Sequence, residues 1–172
     1  LWRVVVPLPL VYPSFVGAAA FISGLTPGGV VHDLAGVFGI ELTIRLHGLV
    51  GSWLVLTLFT YPYVYLPVAA RLTTLSTAFE ENARLLGDGP RRVFLRVVLP
   101  QVGPSIAAGS LLVFLYTLSD FGAVHLMRFE TLPQTIFRTR LFDRDRSFAL
   151  ALLLLVLALL VVAAERTVAR SG

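Results

Sequence analysis

The 172-residue chain has no lysine, no cysteine, a single methionine and only 14% charged residues. Each shortage excludes something. Without cysteine there are no disulfides, thiolate nucleophiles or cysteine-based zinc sites. A phosphate-cradling Walker loop ends in Gly-Lys-Ser/Thr, so the missing lysine excludes ATP hydrolysis by a P-loop of this chain's own. Soluble domains carry roughly a quarter charged residues. With 56% hydrophobic residues and a mean hydropathy of +0.83, this chain has too little polar surface to cover its apolar mass. All 14 basic side chains are arginine, giving a net charge of +4. They lie in the gaps between apolar runs, which is a topology pattern and does not point to nucleic acid. Leu1-Trp2-Arg3 leads straight into an apolar stretch without the charged n-region of a signal peptide, so the chain reads as a piece of a longer one.

About 20 mostly apolar residues cross the roughly 30 Å of bilayer hydrocarbon. Four stretches qualify: Val4–Leu25, Gly48–Ala70, Val102–Leu118 and Phe148–Ala164. Spanning segments must satisfy their backbone groups internally. The sequence therefore predicts an all-α, polytopic membrane helix bundle. Pro7, Pro9 and Pro13 in the first stretch and Pro62 in the second interrupt the backbone ladder, and the freed carbonyls need neighbouring helices or a wet cavity. Gly17–Ala20 and Gly103, Ala107, Ala108 and Gly109 are small enough for close helix contact. Four spans create two sides, with eight arginines on the side of the 71–101 segment and six on the other. The positive-inside rule makes the first side cytoplasmic by a narrow margin.

Leu72–Gln101 is more than a connector. Thr77-Ala-Phe-Glu80 fits a capping box, and Leu75, Phe79, Ala83 and Leu86 share a stripe at helical spacing. Glu80 and Arg84 are placed for an i,i+4 pair, and Gly87 suits the C′ position. Pro90 suits the first position of a second helix. That helix carries Val93, Phe94, Val97 and Val98 on one face and Arg91, Arg92 and Arg96 on another, and Leu99-Pro100 is expected to stop it. Such a helix-hinge-helix protrusion either docks a partner by its apolar edge or lies on the membrane with its arginines toward lipid phosphates.

Glu81-Asn82-Ala83, then Gly87 and then Val97-Val98-Leu99-Pro100 resemble the EAA motif of ABC importer permeases. That motif reads Glu-Ala-Ala, three residues, Gly, nine residues, Ile-x-Leu-Pro, with Asn82 and Val97 as departures here. The resemblance implies that Glu81, Ala83, Gly87, Leu99 and Pro100 are ATPase-coupling positions. It also implies a cytoplasmic loop docked on a separate ABC ATPase dimer, with ATP bound there and no cofactor held by this chain. In that picture a small Ala83 permits close docking, and Gly87 permits the turn.

Leu118-Ser-Asp-Phe-Gly-Ala-Val124, with Arg128-Phe-Glu-Thr-Leu132 and Thr135-Ile-Phe-Arg138, is similar to ferric-iron importer permeases. Molybdate or sulfate permeases tend to carry Gly-Glu-Phe-Gly there. The resemblance covers nearly the whole chain, including Thr60–Val64. It implies a multi-pass permease subunit of the bacterial inner membrane, with residues 1–172 forming part of the transmembrane domain. Its partners would be a periplasmic or lipoprotein substrate-binding protein, a second permease half and the lipid bilayer, with no nucleic acid. Ferric iron is the expected cargo; thiamine, sulfate, molybdate and polyamine are alternatives.

Asp120 stands out on physical grounds. A carboxylate at mid-helix in a bilayer costs about 2.5–3.5 kcal/mol, so it should face a cavity or a partner. With Tyr116, Ser119, Phe121 and Gly122 it forms the candidate translocation path or gate. Carboxylate, phenol and the His125 imidazole are all possible iron ligands, but a transit path should not hold its cargo tightly. Alternatively, Asp120 caps a re-entrant break by accepting N–H bonds at a helix start. No metal site is assigned: His32, Asp33, Glu41 and His47 lack His-x-x-x-His spacing and read as solvated loop. Arg138, Arg140, Asp143, Arg144, Asp145 and Arg146 read as a salt-bridged loop that could also touch a binding protein. A rival of another class, an intramembrane hydrolase, would use Ser52 with His47 or His125 as base.

Overall fold

Prolines decide where the first helix starts. In the computed structural model, which describes residues 5–26, 28–39, 47–85 and 87–170, the expected span Val4–Leu25 is not one helix. Around Pro7 and Pro9 the chain makes a 3₁₀ turn, Leu8–Val11, and then extends through Tyr12. The first α-helix, α1 (Ser14–Leu25), begins only after Pro13. Its 12 residues reach about 18 Å, short of the hydrocarbon. The qualifying apolar stretch is Ser14–Val37, which adds α2 (Val30–Val37) beyond a break containing Gly28 at φ +84°.

The other elements are α3 (Gly48–Thr74), α4 (Thr77–Leu85), α5 (Pro90–Ser119), α6 (Gly122–Leu126), α7 (Leu132–Thr139) and α8 (Arg144–Arg170). Every regular element among the described residues is helical, and four stretches are long and apolar enough to cross a membrane. Helix α3 continues through Pro62 and Pro67. Its buried hydroxyls fold back onto their own helix: Ser52 Oγ donates to the Gly48 carbonyl at 2.9 Å and Thr60 Oγ1 to the Leu56 carbonyl at 2.7 Å. That disposes of two polar groups inside an apolar segment.

The expected stop at Leu99-Pro100 does not occur. Phe94–Val98 form one π turn, with the Leu99 N–H donating to the Phe94 carbonyl five residues back. Pro100 has no N–H to give the Arg96 carbonyl, and its ring presses on the preceding turn in α geometry. The wider turn relieves that pressure. Gln101 then takes the Val97 carbonyl with its own Nε2 at 2.9 Å. The chain therefore stays helical for 30 residues, from Pro90 to Ser119.

The chain divides into two compact units: residues 1–60 with 116–157, and residues 61–115 with 158–172. In the first, Ala18 on α1, Val55 on α3, Ala123 on α6 and Met127 are fully buried, with Phe21, Ile22, Leu56 and Phe59 packed on them. Gly17 lies under the Phe59 ring, where any Cβ would overlap it. The Gly48 N–H donates to the Met127 carbonyl at 2.6 Å. In the second unit, the Gly109 backbone meets α3: a Cβ there would stand 2.6 Å from Val64 Cα and 2.7 Å from the Tyr63 oxygen. Pro67 gives no N–H to that same Tyr63 carbonyl, and glycine lets another backbone reach it. Gly103, grouped with Gly109 by sequence, faces open space: a methyl group there would have no neighbour within 4 Å. Only Gly109 of the two is a contact residue. Helix α8 leaves Leu152, Leu153, Leu155, Leu159 and Leu160 exposed, which is a surface for lipid or for another membrane helix.

Candidate coupling loop and translocation path

Helix α4 is capped one residue earlier than the capping-box pattern suggests. Ser76 Oγ accepts the first free N–H, that of Ala78, at 3.3 Å. Thr77 is already inside the helix, so its backbone no longer has the extended geometry of an N-cap. The expected Glu80–Arg84 pair lies outside the described residues, because the Glu80 side chain is not described; neither is Leu86. At the other end, Gly87 takes φ +86°. Its N–H donates to the Arg84 carbonyl at 3.0 Å, and the Asp88 N–H donates to the Ala83 carbonyl at 3.1 Å. That pair of bonds is a Schellman motif, and it needs a residue that tolerates a left-handed backbone.

Beyond the hinge, Gly89 precedes α5, whose first residue is Pro90. Asp88 accepts from Arg92 Nη1 at 3.1 Å. Ala83, Val93 and Val98 are buried, whereas Glu81, Phe79 and Leu85 are exposed. Ala83 is small where α4 closes on the first turns of α5. Leu99 and Pro100 stand inside α5 and shape its π turn. Arg71 Nε donates to the Gln101 carbonyl at 3.3 Å.

The path candidates collect around the break between α5 and α6. Asp120 Oδ1 accepts from the Ala123 N–H at 3.0 Å and the Val124 N–H at 3.4 Å. Asp120 Oδ2 accepts from Ser14 Oγ at 2.5 Å, and Ser14 is 4% exposed. Both oxygens are therefore engaged within the protein. Ser119 Oγ donates back to the Tyr116 carbonyl at 3.0 Å. Phe121 stacks on the His125 ring, 5.5 Å between centroids and 8° from parallel, and tilts against Phe137 at 5.3 Å. Gly122 faces Phe15, and a Cβ there would come within 2.8 Å of the Phe15 Cβ. His125 Nδ1 is 2.8 Å from Gln134 Nε2.

Among the described residues, no group of three or more His, Cys, Asp or Glu side chains is placed to hold a metal ion. His32 and Asp33 touch each other at 3.5 Å; Glu41 is outside the described residues. The 138–146 charges are only partly a loop: Arg140 and Asp143 lie in the connector, and the others on the helices that flank it. Arg138 sits on α7 and pairs with Glu130, Arg140 lies 4.6 Å over the Phe137 ring, and Asp143 Oδ1 accepts from the Arg146 N–H at the start of α8. Arg138 thus lies in the last turn of α7 and Arg140 at its C-cap, while Asp143 stands just before α8 and Arg144, Asp145 and Arg146 form its start. Ser52 Oγ donates to the Gly48 carbonyl of its own helix, not to His47 or His125.

Sequence reasoning missed Ser14, Ser76, Gln101 and Gln134. Ser76 had a readable signal, a hydroxyl just before an apolar-periodic stretch. Ser14 acts across 106 residues, Gln101 acts on the π turn, and Gln134 acts between two neighbouring short helices.

Four apolar helical stretches, a hinged helix pair leading into a 30-residue helix and a carboxylate-capped break make this a polytopic helical membrane protein. Residues 1–171 match the family model described as the binding-protein-dependent transport system inner membrane component, and the chain belongs to that family. It is 31% identical over 166 residues to the Fe(3+)-transport system permease protein FbpB 2 of Haemophilus influenzae, covering 95% of this chain and 29% of that protein. It is 32% identical over 166 residues to the molybdenum transport system permease protein ModB of Mycobacterium bovis, covering 93% and 62%. Against the sulfate transport system permease protein CysT of Escherichia coli it is 28% identical over 162 residues, covering 90% and 57%. The chain spans less than two thirds of each of these relatives.

Proposed function

We propose that this chain is part of the permease of an ATP-driven bacterial importer, coupled to a separate ATPase through α4 and its Gly87 hinge. The observation that carries this reading is the surface of α4. The helix is capped at both ends and anchored by buried Ala83, yet it leaves Phe79 60% and Leu85 84% exposed beside Glu81. Exposed apolar side chains on a rigid, charged helix outside the spans favour a protein partner. The loop then faces the cytoplasm, and a second permease half and a substrate-binding protein complete the transporter. The cargo is ferric iron, a reading supported by the likeness of Leu118–Val124 and its flanks to iron permeases. Molybdate or sulfate is the second reading, favoured by the comparable identity to ModB and CysT.

The test uses the complete transporter with its ATPase and binding protein. Leu85→Glu is expected to cut ATPase association by tenfold or more, on the order of a central interface side chain. Normal association would overturn the coupling surface. Uptake of labelled ferric iron, but not molybdate or sulfate, is expected; the reverse would replace the cargo. A single Asn82→Cys probe, in a transporter otherwise stripped of reactive cysteines, should label only from the cytoplasmic side.

A further inference from the structure

From the basic concavity at the start of α5, we infer a binding site for an anionic phospholipid headgroup. The site goes beyond coupling and transport, and it rests on the coupling reading only in that α4, not α5, is given to the ATPase. The concavity, of about 670 Å³, opens beside the Gly87 hinge, which lines it together with Gly89, Pro90, Arg91, Arg92, Leu95 and Arg96. All three arginines are exposed, and so are Phe94 and Leu95, at 52% and 48%. Arg92 is tied to Asp88 at 3.1 Å. Among the described residues, Arg91 and Arg96 take part in no ion pair. The two unneutralised guanidinium groups therefore share a hollow with an apolar side chain.

Depth selects the occupant. After Arg96, residues 97–119 carry no charge, and at about 1.5 Å per residue that stretch is about 34 Å long, enough to cross the hydrocarbon. Arg96 then sits at its edge, and Arg92 and Arg91 lie about 6 and 8 Å beyond it. The polar headgroup layer is roughly 5–8 Å thick on each side. All three arginines fall within it. Guanidinium groups bind phosphate oxygens with two parallel donors, while Phe94 and Leu95 meet the upper acyl chain. The exposed protein-facing side chains, Phe79 and Leu85, are on α4 instead, so the arginines are left to lipid. A basic pocket beside a span at the membrane surface is the usual form of such recognition.

The test measures lipid binding to the full-length protein in phosphatidylcholine nanodiscs, with or without phosphatidylglycerol, by native mass spectrometry of retained lipid. The unaltered protein should retain phosphatidylglycerol over phosphatidylcholine, with a preference that weakens as salt rises. Arg91→Gln with Arg96→Gln should lower the phosphatidylglycerol affinity about thirtyfold, from about fivefold for each arginine. Arg84→Gln with Arg144→Gln removes the same charge outside the concavity and should leave the preference intact. No preference in the unaltered protein, or an equal loss in both double variants, overturns the site. So does undiminished phosphatidylglycerol binding by R91Q/R96Q together with lost ATPase association, which would make the hollow a protein dock. If R91Q/R96Q does not fold, the salt titration of the unaltered protein decides: a salt-independent preference overturns the proposal.

Discussion

Ser14 and Asp120, 106 residues apart, meet in a single hydrogen bond from Ser14 Oγ to Asp120 Oδ2, while Asp120 Oδ1 holds the first free N–H groups of α6. One carboxylate thus ties the first residue of α1 to the start of α6. It is a fastening between two helix starts, where the positive ends of both backbones favour a negative charge. These bonds account for the placement of Asp120 as a cap and a tie between two helix starts.

The fastening predicts an order of stabilities. Ser14→Ala removes one buried hydrogen bond to a charged group and should cost about 1.5–3 kcal/mol. Asp120→Ala removes that bond and the cap together, the cap being worth a further ~1 kcal/mol, and strands the Ser14 hydroxyl. Thermal unfolding of the detergent-solubilised protein should therefore rank Asp120→Ala below Ser14→Ala. Equal melting points would show that the cap contributes nothing.

Gly109 and Gly103 should respond oppositely to the same methyl group. At Gly109 the methyl meets backbone atoms at 2.6 and 2.7 Å, which cannot swing aside as a side chain can. Overpacking of this kind costs about 1–3 kcal/mol. At Gly103 the methyl meets nothing, and replacing glycine in a helix interior gains about 0.5–1 kcal/mol. Paired melting curves for Gly109→Ala and Gly103→Ala check this directly, and shifts of the same sign would contradict it.

The hinge predicts a graded series at Gly87. A left-handed backbone costs an ordinary L-residue about 1–2 kcal/mol, and asparagine less. Gly87→Asn should retain most ATPase stimulation and Gly87→Ala should lose part of it. Gly87→Pro, which also deletes the N–H that holds the Arg84 carbonyl, should lose it altogether. Stimulation unchanged in Gly87→Pro would remove the hinge from the coupling argument.

Gln101 offers a test of the π turn. Gln101→Leu deletes the donor to the Val97 carbonyl at a cost of about 1 kcal/mol. Pro100→Ala restores an α-helical donor and should let the turn tighten. Faster amide exchange across 94–98 in the first variant and slower exchange in the second are the expected readouts; identical exchange in both would mean that neither residue sets the turn.

What can be read in the sequence follows from how local each cause is. Apolar runs give spans because the bilayer is a solvent that acts on each residue separately, so α3, α5 and α8 are all legible. Gly87 is legible because its conformational freedom is a property of the residue itself. Pro100 misleads for a complementary reason. Its local preference is to end a helix, and only the surrounding structure supplies the wider turn and the Gln101 amide that let the helix continue. The first span fails similarly: hydropathy sees Val4–Leu25 as continuous, whereas three prolines set the backbone before hydropathy acts.

The sequence by itself determined a membrane-spanning helical chain, the approximate place of its spans and the hinge between α4 and α5. Composition and single-residue chemistry suffice for those. Only the tertiary structure decided that Ala83 faces inward, that Gly109 and not Gly103 is a contact, and that the carboxylate of Asp120 answers to Ser14. Those outcomes depend on which surfaces meet across long stretches of chain, and packing alone selects among the faces that a helical sequence offers.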